Sequence, residues 1–179
     1  MKKKVLNLSI VLASTFSFSL FAETFYQNKY TDTNKKAFNF SSMKGQVVMV
    51  VNIATRCGYT GQLDEIEKLY KKYQTKNFKI VGFPSSDFGD QTPESNEEVG
   101  KFCRLKYGAT FPIIEKQNII GRNKTSIYKW LNSQKGYESD VQWNFEKFII
   151  GKSGNVVGRF TSQVDPLDKS ITDLIEKNL

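Results

Sequence analysis

Val47-Val48-Met49-Val50-Val51-Asn52-Ile53 is a continuous, mostly β-branched apolar run of strand length. It shows no alternation of apolar and polar residues, which is the pattern of a strand covered on both faces. Thr55-Arg56-Cys57-Gly58-Tyr59-Thr60 breaks the run. Leu63, Ile66, Tyr70 and Tyr73 then recur at three- and four-residue spacing with charges between them, which predicts an amphipathic helix. Phe78-Lys79-Ile80-Val81-Gly82-Phe83-Pro84 is a second apolar run. Strand, helix and strand in that order predict a βαβ unit with its two strands adjacent and parallel.

Outward from this unit, Glu23 to Lys44 is polar and aromatic without clear periodicity and is read as a lead-in with an early hairpin. Downstream, Ser95-Asn96-Glu97-Glu98 is a capping-box sequence opening a helix through Phe102, Cys103 and Leu105. Thr125 or Ser126 caps another helix through Tyr128, Trp130 and Leu131. Phe145 to Ile150 and Asn155 to Phe160 are strands joined by Gly151-Lys152-Ser153-Gly154, a hairpin signal. Pro166 stands at the start of a last helix through Leu167, Ile171, Leu174 and Ile175, where its fixed φ is suited. With no repeat, linker or break in composition, residues 23–179 are expected to form one α/β domain.

Ahead of that domain, Met1 and three lysines precede a largely apolar run from Val5 to Ala22, ending Leu20-Phe21-Ala22. This is the n-region, h-region and cleavage site of a secretory signal, predicted over residues 1–22. Ser9, Ser14, Thr15, Ser17 and Ser19 make the run too polar for a comfortable membrane span. Export is therefore expected, to the periplasm if the source is a Gram-negative bacterium, with no stable membrane association after cleavage.

The chain has 179 residues, 26 Lys plus Arg against 18 Asp plus Glu, two Cys and no His. Without histidine there is no Ser-His-Asp or Cys-His nucleophile pair, no HExxH zinc site and no imidazole switch. Two cysteines alone fall short of the four ligands that a structural zinc site wants. Neither a metal nor a cofactor is expected. The formal charge of +8 loses Lys2, Lys3 and Lys4 with the signal. The remaining basic residues, among them Lys68, Lys79, Lys101 and Lys116, are scattered as on a solvated surface, so nucleic acid is not an expected partner.

Cys57 stands just past the carboxyl end of the first buried strand, where ligands of open parallel sheets collect. Unsatisfied N–H groups of a following helix favour thiolate over thiol there. An inert core cysteine is the other reading, but Arg56, Gly58, Tyr59 and Thr60 are not a hydrophobic setting. Cys57-Gly58-Tyr59-Thr60 has the spacing of a CxxC redox motif with Thr60 in place of the second cysteine. Cys103, on a helix beside Phe102, is either a core residue or a resolving thiol, and spacing alone leaves both open.

Three segments in order resemble the signatures of the glutathione peroxidase family, in its cysteine-containing, non-selenium branch. They are Val51-Asn52-Ile53-Ala54-Thr55-Arg56-Cys57-Gly58-Tyr59-Thr60; Gly82-Phe83-Pro84 with the following Ser85 to Pro93; and Gln142-Trp143-Asn144-Phe145-Glu146-Lys147-Phe148. The resemblance runs from about Phe25 to the C-terminus. It implies a thioredoxin-like fold, with a central mixed sheet flanked by helices, and the reduction of hydroperoxides at the cost of a thiol reductant. It places Cys57 as the peroxidatic residue, with Gln91, Trp143 and Asn144 around it. Amide and indole N–H donors aimed at sulfur favour thiolate and stabilise charge on a leaving hydroxide or alkoxide, and none of this needs histidine.

Many non-selenium members carry a cysteine directly after the Gly-Phe-Pro segment, where this chain has Ser85. Their other resolving position is matched by Phe102-Cys103 ahead of Thr110-Phe111-Pro112. The resemblance therefore makes Cys103 the resolving thiol, which condenses with a Cys57 sulfenic acid to a disulfide. Members of that kind typically take thioredoxin-like donors rather than glutathione. The short Gln117 to Lys124 connection lacks the insertion of tetrameric members and resembles the monomeric branch. The alternative is a thioredoxin-like thiol-disulfide oxidoreductase acting on exported proteins, with Cys57 and Cys103 as a remote pair.

Overall fold

A computed structural model describes residues 24–179; the predicted secretory segment lies outside them. Strands β1 (Lys29–Thr31) and β2 (Ala37–Asn39) form the early antiparallel hairpin. The main sheet is built from β3 (Val47–Ile53), β4 (Phe78–Pro84), β5 (Lys147–Ile150) and β6 (Val156–Phe160), in the order β4-β3-β5-β6. β3 and β4 run parallel, from Val47 opposite Phe78 to Ile53 opposite Pro84. β5 returns antiparallel beside β3, and β6 antiparallel beside β5, so the sheet is mixed. Helix α1 (Gln62–Tyr73) makes the β3-to-β4 crossover, followed by α2 (Asn96–Tyr107), α3 (Ser126–Leu131) and α4 (Lys169–Asn178). No helix among the described residues is long and apolar enough to cross a membrane.

The unbroken apolar character of β3 has a direct cause. Val47, Met49, Val51 and Ile53 face a core shared with Leu63, Ile66 and Tyr70 of α1, Val99 and Cys103 of α2, and Ile171 and Ile175 of α4. Val48 and Val50 face the opposite core, built by Phe25, Phe40, Phe83, Phe148 and the α3 residues Ile127, Tyr128 and Leu131. That second core is an aromatic lattice: Phe25 meets Phe40 edge to face at 5.1 Å, and Tyr128 meets Phe83 at 5.6 Å. Aromatic pairs at such distances add to the stability from burial alone. A strand with a core on each side has no place for alternation.

Helix α2 begins with the expected capping box. The Glu98 amide donates to Ser95 Oγ at 3.3 Å, and the Ser95 amide donates to Glu98 Oε2 at 2.8 Å. The helix ends at Gly108, in the left-handed region with φ 62°. Its inward face is thin: Val99, Gly100 and Cys103 are buried, while Leu105 is 86% exposed. A Cβ on Gly100 would lie 2.6 Å from Thr33 Oγ1 and 2.8 Å from Thr33 Cβ. Gly100→Ala gains helix propensity of about 1 kcal/mol but forces α2 off the hairpin. Overpacking of this kind costs about 1–3 kcal/mol, and Thr33 is pinned through its amide to the Ile113 carbonyl at 2.9 Å. The clash is expected to win, so urea denaturation should find Gly100→Ala less stable than the native chain.

The starts of β5, α4 and, by one residue at Val156, β6 differ from the sequence reading. β5 opens at Lys147 rather than Phe145, because Phe145 adopts φ 66° and leaves extended geometry. Pro166 does not open the last helix. It lies in a turn closed by the Asp168 amide on the Asp165 carbonyl at 2.9 Å. Asp168 then caps α4, its carboxylate accepting from the Ser170 amide at 2.7 Å. A carboxylate cap satisfies a free helix N–H and the dipole together, which proline cannot do. Thr125 is the N-cap of α3, one of the two positions the sequence offered, with its hydroxyl paired to Tyr30 Oη at 2.8 Å instead of a helix amide.

Candidate active site

β3 delivers the chain to a tight loop, Ala54 to Gly61, before α1. Cys57 is not in the first turn of α1, which starts at Gln62; it begins a wound turn of its own. Its carbonyl accepts from the Thr60 amide at 3.0 Å, and its Sγ accepts from the Tyr59 amide at 3.5 Å. This is the bonding of an N-cap with sulfur in place of oxygen, and an N–H donor at sulfur favours thiolate. Thr60, standing where a CxxC motif has its second cysteine, locks the loop. Its Oγ1 accepts from the Cys57 amide at 2.9 Å and donates to the Ala54 carbonyl at 3.0 Å. Cys57 is 9% exposed, so the thiol is sheltered but not sealed.

The segment after β4 clips this loop from the side. The Gln91 carbonyl accepts from the amides of Thr55 at 3.1 Å and Arg56 at 2.9 Å. Glu94 accepts from the Thr55 hydroxyl and from Arg56 Nε at 2.9 Å. Burial alone would raise the Glu94 carboxyl, but these hydrogen bonds outweigh it and hold the group below its ordinary value. Ser85, directly after the Gly82-Phe83-Pro84 segment, is buried and serves the turn. Its Oγ accepts from the Asp87 amide at 3.2 Å.

The turn before β5 supplies the third side. Asn144 is fully buried, its Nδ2 donating to Gln91 Oε1 at 3.0 Å, while its Oδ1 has no partner. Trp143 is 41% exposed and packs against Phe88 at 5.4 Å between ring centroids. The structure thus joins Gln91 to Asn144 directly, joins Gln91 to the Cys57 loop through backbone, and sets Trp143 on the same turn. Trp143 also shares a cleft of about 330 Å³ with Tyr59, whose amide touches the Cys57 sulfur. Among the described residues the hydrogen-bond donor to Sγ is this Tyr59 amide rather than any of the three side chains.

Cys103 belongs to the same buried cluster as Cys57, and both thiols are free. It is fully buried on α2, and burial pushes its thiol up to about 12. A group in that state is protonated at neutral pH and cannot react without exposure. Among the described residues no group of three or more His, Cys, Asp or Glu is arranged for a metal ion.

Three supporting residues escaped the sequence reading. Asn52 closes β3: its Nδ2 donates to the Trp143 carbonyl at 3.0 Å, and its Oδ1 accepts from the Glu146 amide at 3.0 Å. Glu146 and Arg159 form an ion pair at 2.8 Å with side chains 3% and 12% exposed. The signal for Asn52 was a polar residue inside an apolar strand, and for Glu146 its place in the third signature segment; Arg159 had none. Lys147 is also buried, its Nζ donating to the Val164 carbonyl at 2.6 Å, and desolvation pushes it down to about 8.

A buried thiol at the carboxyl end of the central strand of a thioredoxin-like sheet defines a class, the thiol-dependent oxidoreductases. The family model for glutathione peroxidase matches residues 25–132. Glutathione peroxidase-like peroxiredoxin 2 of Saccharomyces cerevisiae is 46% identical over 160 residues, covering 86% of this chain and 98% of the relative. Glutathione peroxidase homolog BsaA of Staphylococcus epidermidis is 39% identical, covering 88% and 99%. The solved apo form of Trgpx superposes with a TM-score of 0.68 at 34% identity, covering 88% of this chain and 96% of that one. A thioredoxin-family thiol:disulfide interchange protein from Chlorobium tepidum matches at TM-score 0.64 but 17% identity, covering 88% and 97%, a likeness of fold alone. The chain belongs to the glutathione peroxidase family, in its cysteine-type, non-selenium branch, and is a peroxidase.

Proposed function

We propose that the protein reduces hydrogen peroxide and organic hydroperoxides through Cys57, with Cys103 as resolving thiol and a thioredoxin-like protein as reductant. The Cys57 thiolate attacks the peroxide's terminal oxygen. The O–O bond breaks, sulfur becomes sulfenic acid, and the departing hydroxide or alkoxide takes a proton to leave as water or alcohol. The observation that carries this reading is the seat of Cys57, its sulfur facing a helix-like amide at the end of β3. Gln91, Trp143 and Asn144 act as donors that stabilise charge on the departing oxygen.

Cys103 then displaces hydroxyl from the sulfenic sulfur, giving a Cys57–Cys103 disulfide and water. Two external thiols reduce that disulfide and are themselves oxidised. Because Cys103 is sealed in the core, this step needs α2 to lift. The helix is suited to lifting, since few of its side chains are buried and thinly anchored elements open at low free energy. Residues 1–22 act as a cleaved secretory signal, and the protein works as an exported monomer, in the periplasm if the source is Gram-negative. It needs no metal and binds no nucleic acid.

The test is intact mass and free-thiol titre of the reduced protein after one equivalent of hydrogen peroxide. Loss of two hydrogens and of both thiols, with a Cys57–Cys103 peptide after digestion, is the expected result. Added oxygen on Cys57 with Cys103 free would make Cys103 structural and favour glutathione as reductant. No rapid change at Cys57 would overturn the mechanism and favour disulfide exchange with exported proteins.

A further inference from the structure

Asn144 and Trp143 sit on a turn that is not stable by local geometry. Phe145 takes a left-handed φ of 66°, which is strained for a non-glycine residue and persists only where surroundings over-determine it. Asn52 on β3 supplies part of those surroundings, and Glu146 and Arg159 supply the rest. Glu146 Oε1 accepts from the amides of Gln142 and, at 3.3 Å, Trp143. Its Oε2 accepts from Arg159 Nε at 3.0 Å and Nη2 at 2.8 Å. Arg159, reaching in from β6, donates in turn to the carbonyls of Ser139 at 2.7 Å, Asp140 at 2.9 Å and Tyr137 at 3.3 Å. The carboxylate holds the amides of the turn, and the guanidinium holds the carbonyls of the approach to it. The guanidinium also lies over the Phe148 ring, its Cζ 4.8 Å from the centroid, which fixes its plane.

This bonding is costlier than turn-building requires. A buried ion pair is at best a weak source of stability, because desolvation offsets the attraction. What it supplies is a rigid frame on which a catalytic side chain is held to a fraction of an ångström. We propose that Glu146 and Arg159 are positioning residues of the peroxidase site, which act on the reaction by fixing the Trp143 indole beside the Cys57 loop. The proposal rests on the reading of Trp143 as a catalytic donor, and a neutral amide cannot replace the carboxylate. Glutamine presents one acceptor oxygen and one N–H₂, so either the amides of Gln142 and Trp143 or the Arg159 fork would meet a donor.

A mutant cycle on the full chain tests this, reading the second-order rate at which hydrogen peroxide consumes the reduced thiols. Thermal unfolding of each variant accompanies it. Trp143→Phe and Glu146→Gln are each expected to slow oxidation by about tenfold or more. The double variant should be no more than about threefold slower than Trp143→Phe alone, since Glu146 has nothing left to position. Full multiplication of the two effects would overturn the proposal while leaving Trp143 catalytic. Native speed in Glu146→Gln would overturn it as well. Native speed in Trp143→Phe would remove Trp143 from the mechanism and the proposal with it. If Glu146→Gln does not fold, Arg159→Lys, which keeps the charge but cannot span the three carbonyls, decides in the same cycle.

Discussion

Cys57→Ser is expected to lower peroxide turnover by more than about a thousandfold while leaving the fold intact. A serine hydroxyl is scarcely ionised at neutral pH, and its oxygen cannot accept the peroxide oxygen that sulfur takes up. Nothing around the position demands sulfur for packing. The Tyr59 amide that now reaches Sγ at 3.5 Å finds a hydroxyl oxygen in its place, and Thr60 continues to tie the loop to Ala54. Stability should therefore change by about 1 kcal/mol or less. The measurement is peroxide loss in the presence of a thiol reductant, with a thermal melt on the same preparation. More than a few per cent of native turnover in a folded variant would place the reacting thiol elsewhere.

Cys103→Ser should separate the first turnover from all later ones. Cys57 meets peroxide without help from α2, so the single-turnover rate is expected to stay within about threefold of native. Steady-state turnover with a protein dithiol should fall by about a hundredfold. The unresolved sulfenic acid then waits for an external thiol and is exposed to further oxidation. A stopped-flow burst followed by a slow steady state is the expected trace; an unchanged steady state would make Cys103 a core residue only. The native thiol also predicts a pH effect. With its folded value raised to about 12, above the unfolded value, the stability it contributes is whole below about pH 9 and is lost as pH rises toward 12. Chemical denaturation between pH 8 and pH 11 should show the native chain losing stability over this interval faster than Cys103→Ser.

Much of the fold was legible because the signals were strong and local. β3 and β4 were unbroken apolar runs of strand length, α1 carried apolar residues at three- and four-residue spacing, and Ser95 with Glu98 marked the start of α2. The misread boundaries, at Phe145 and Pro166, were places where a tertiary contact overrode a local preference. Phe145 is strand-forming by type, but its amide donates to the Asn52 carbonyl at 2.7 Å in a turn that only the folded sheet supports. Pro166 suits the start of a helix, yet Asp168 offers a better cap two residues on.

The sequence by itself determined the α/β order of elements, the seat of Cys57 at a strand end, the absence of imidazole chemistry and the family signatures. These are matters of residue type and spacing, which do not change when the chain folds. Only the tertiary structure decided that Cys103 is sealed in the same core as Cys57, that Gln91 and Asn144 bond to each other, and that Glu146, Arg159 and Asn52 hold the Trp143 turn. Each of those facts joins residues from separate elements, such as Asn52 on β3 with Trp143 and Glu146 some ninety positions later. Such contacts are fixed by sheet order and register, which bring distant segments to one edge and leave no local pattern in either.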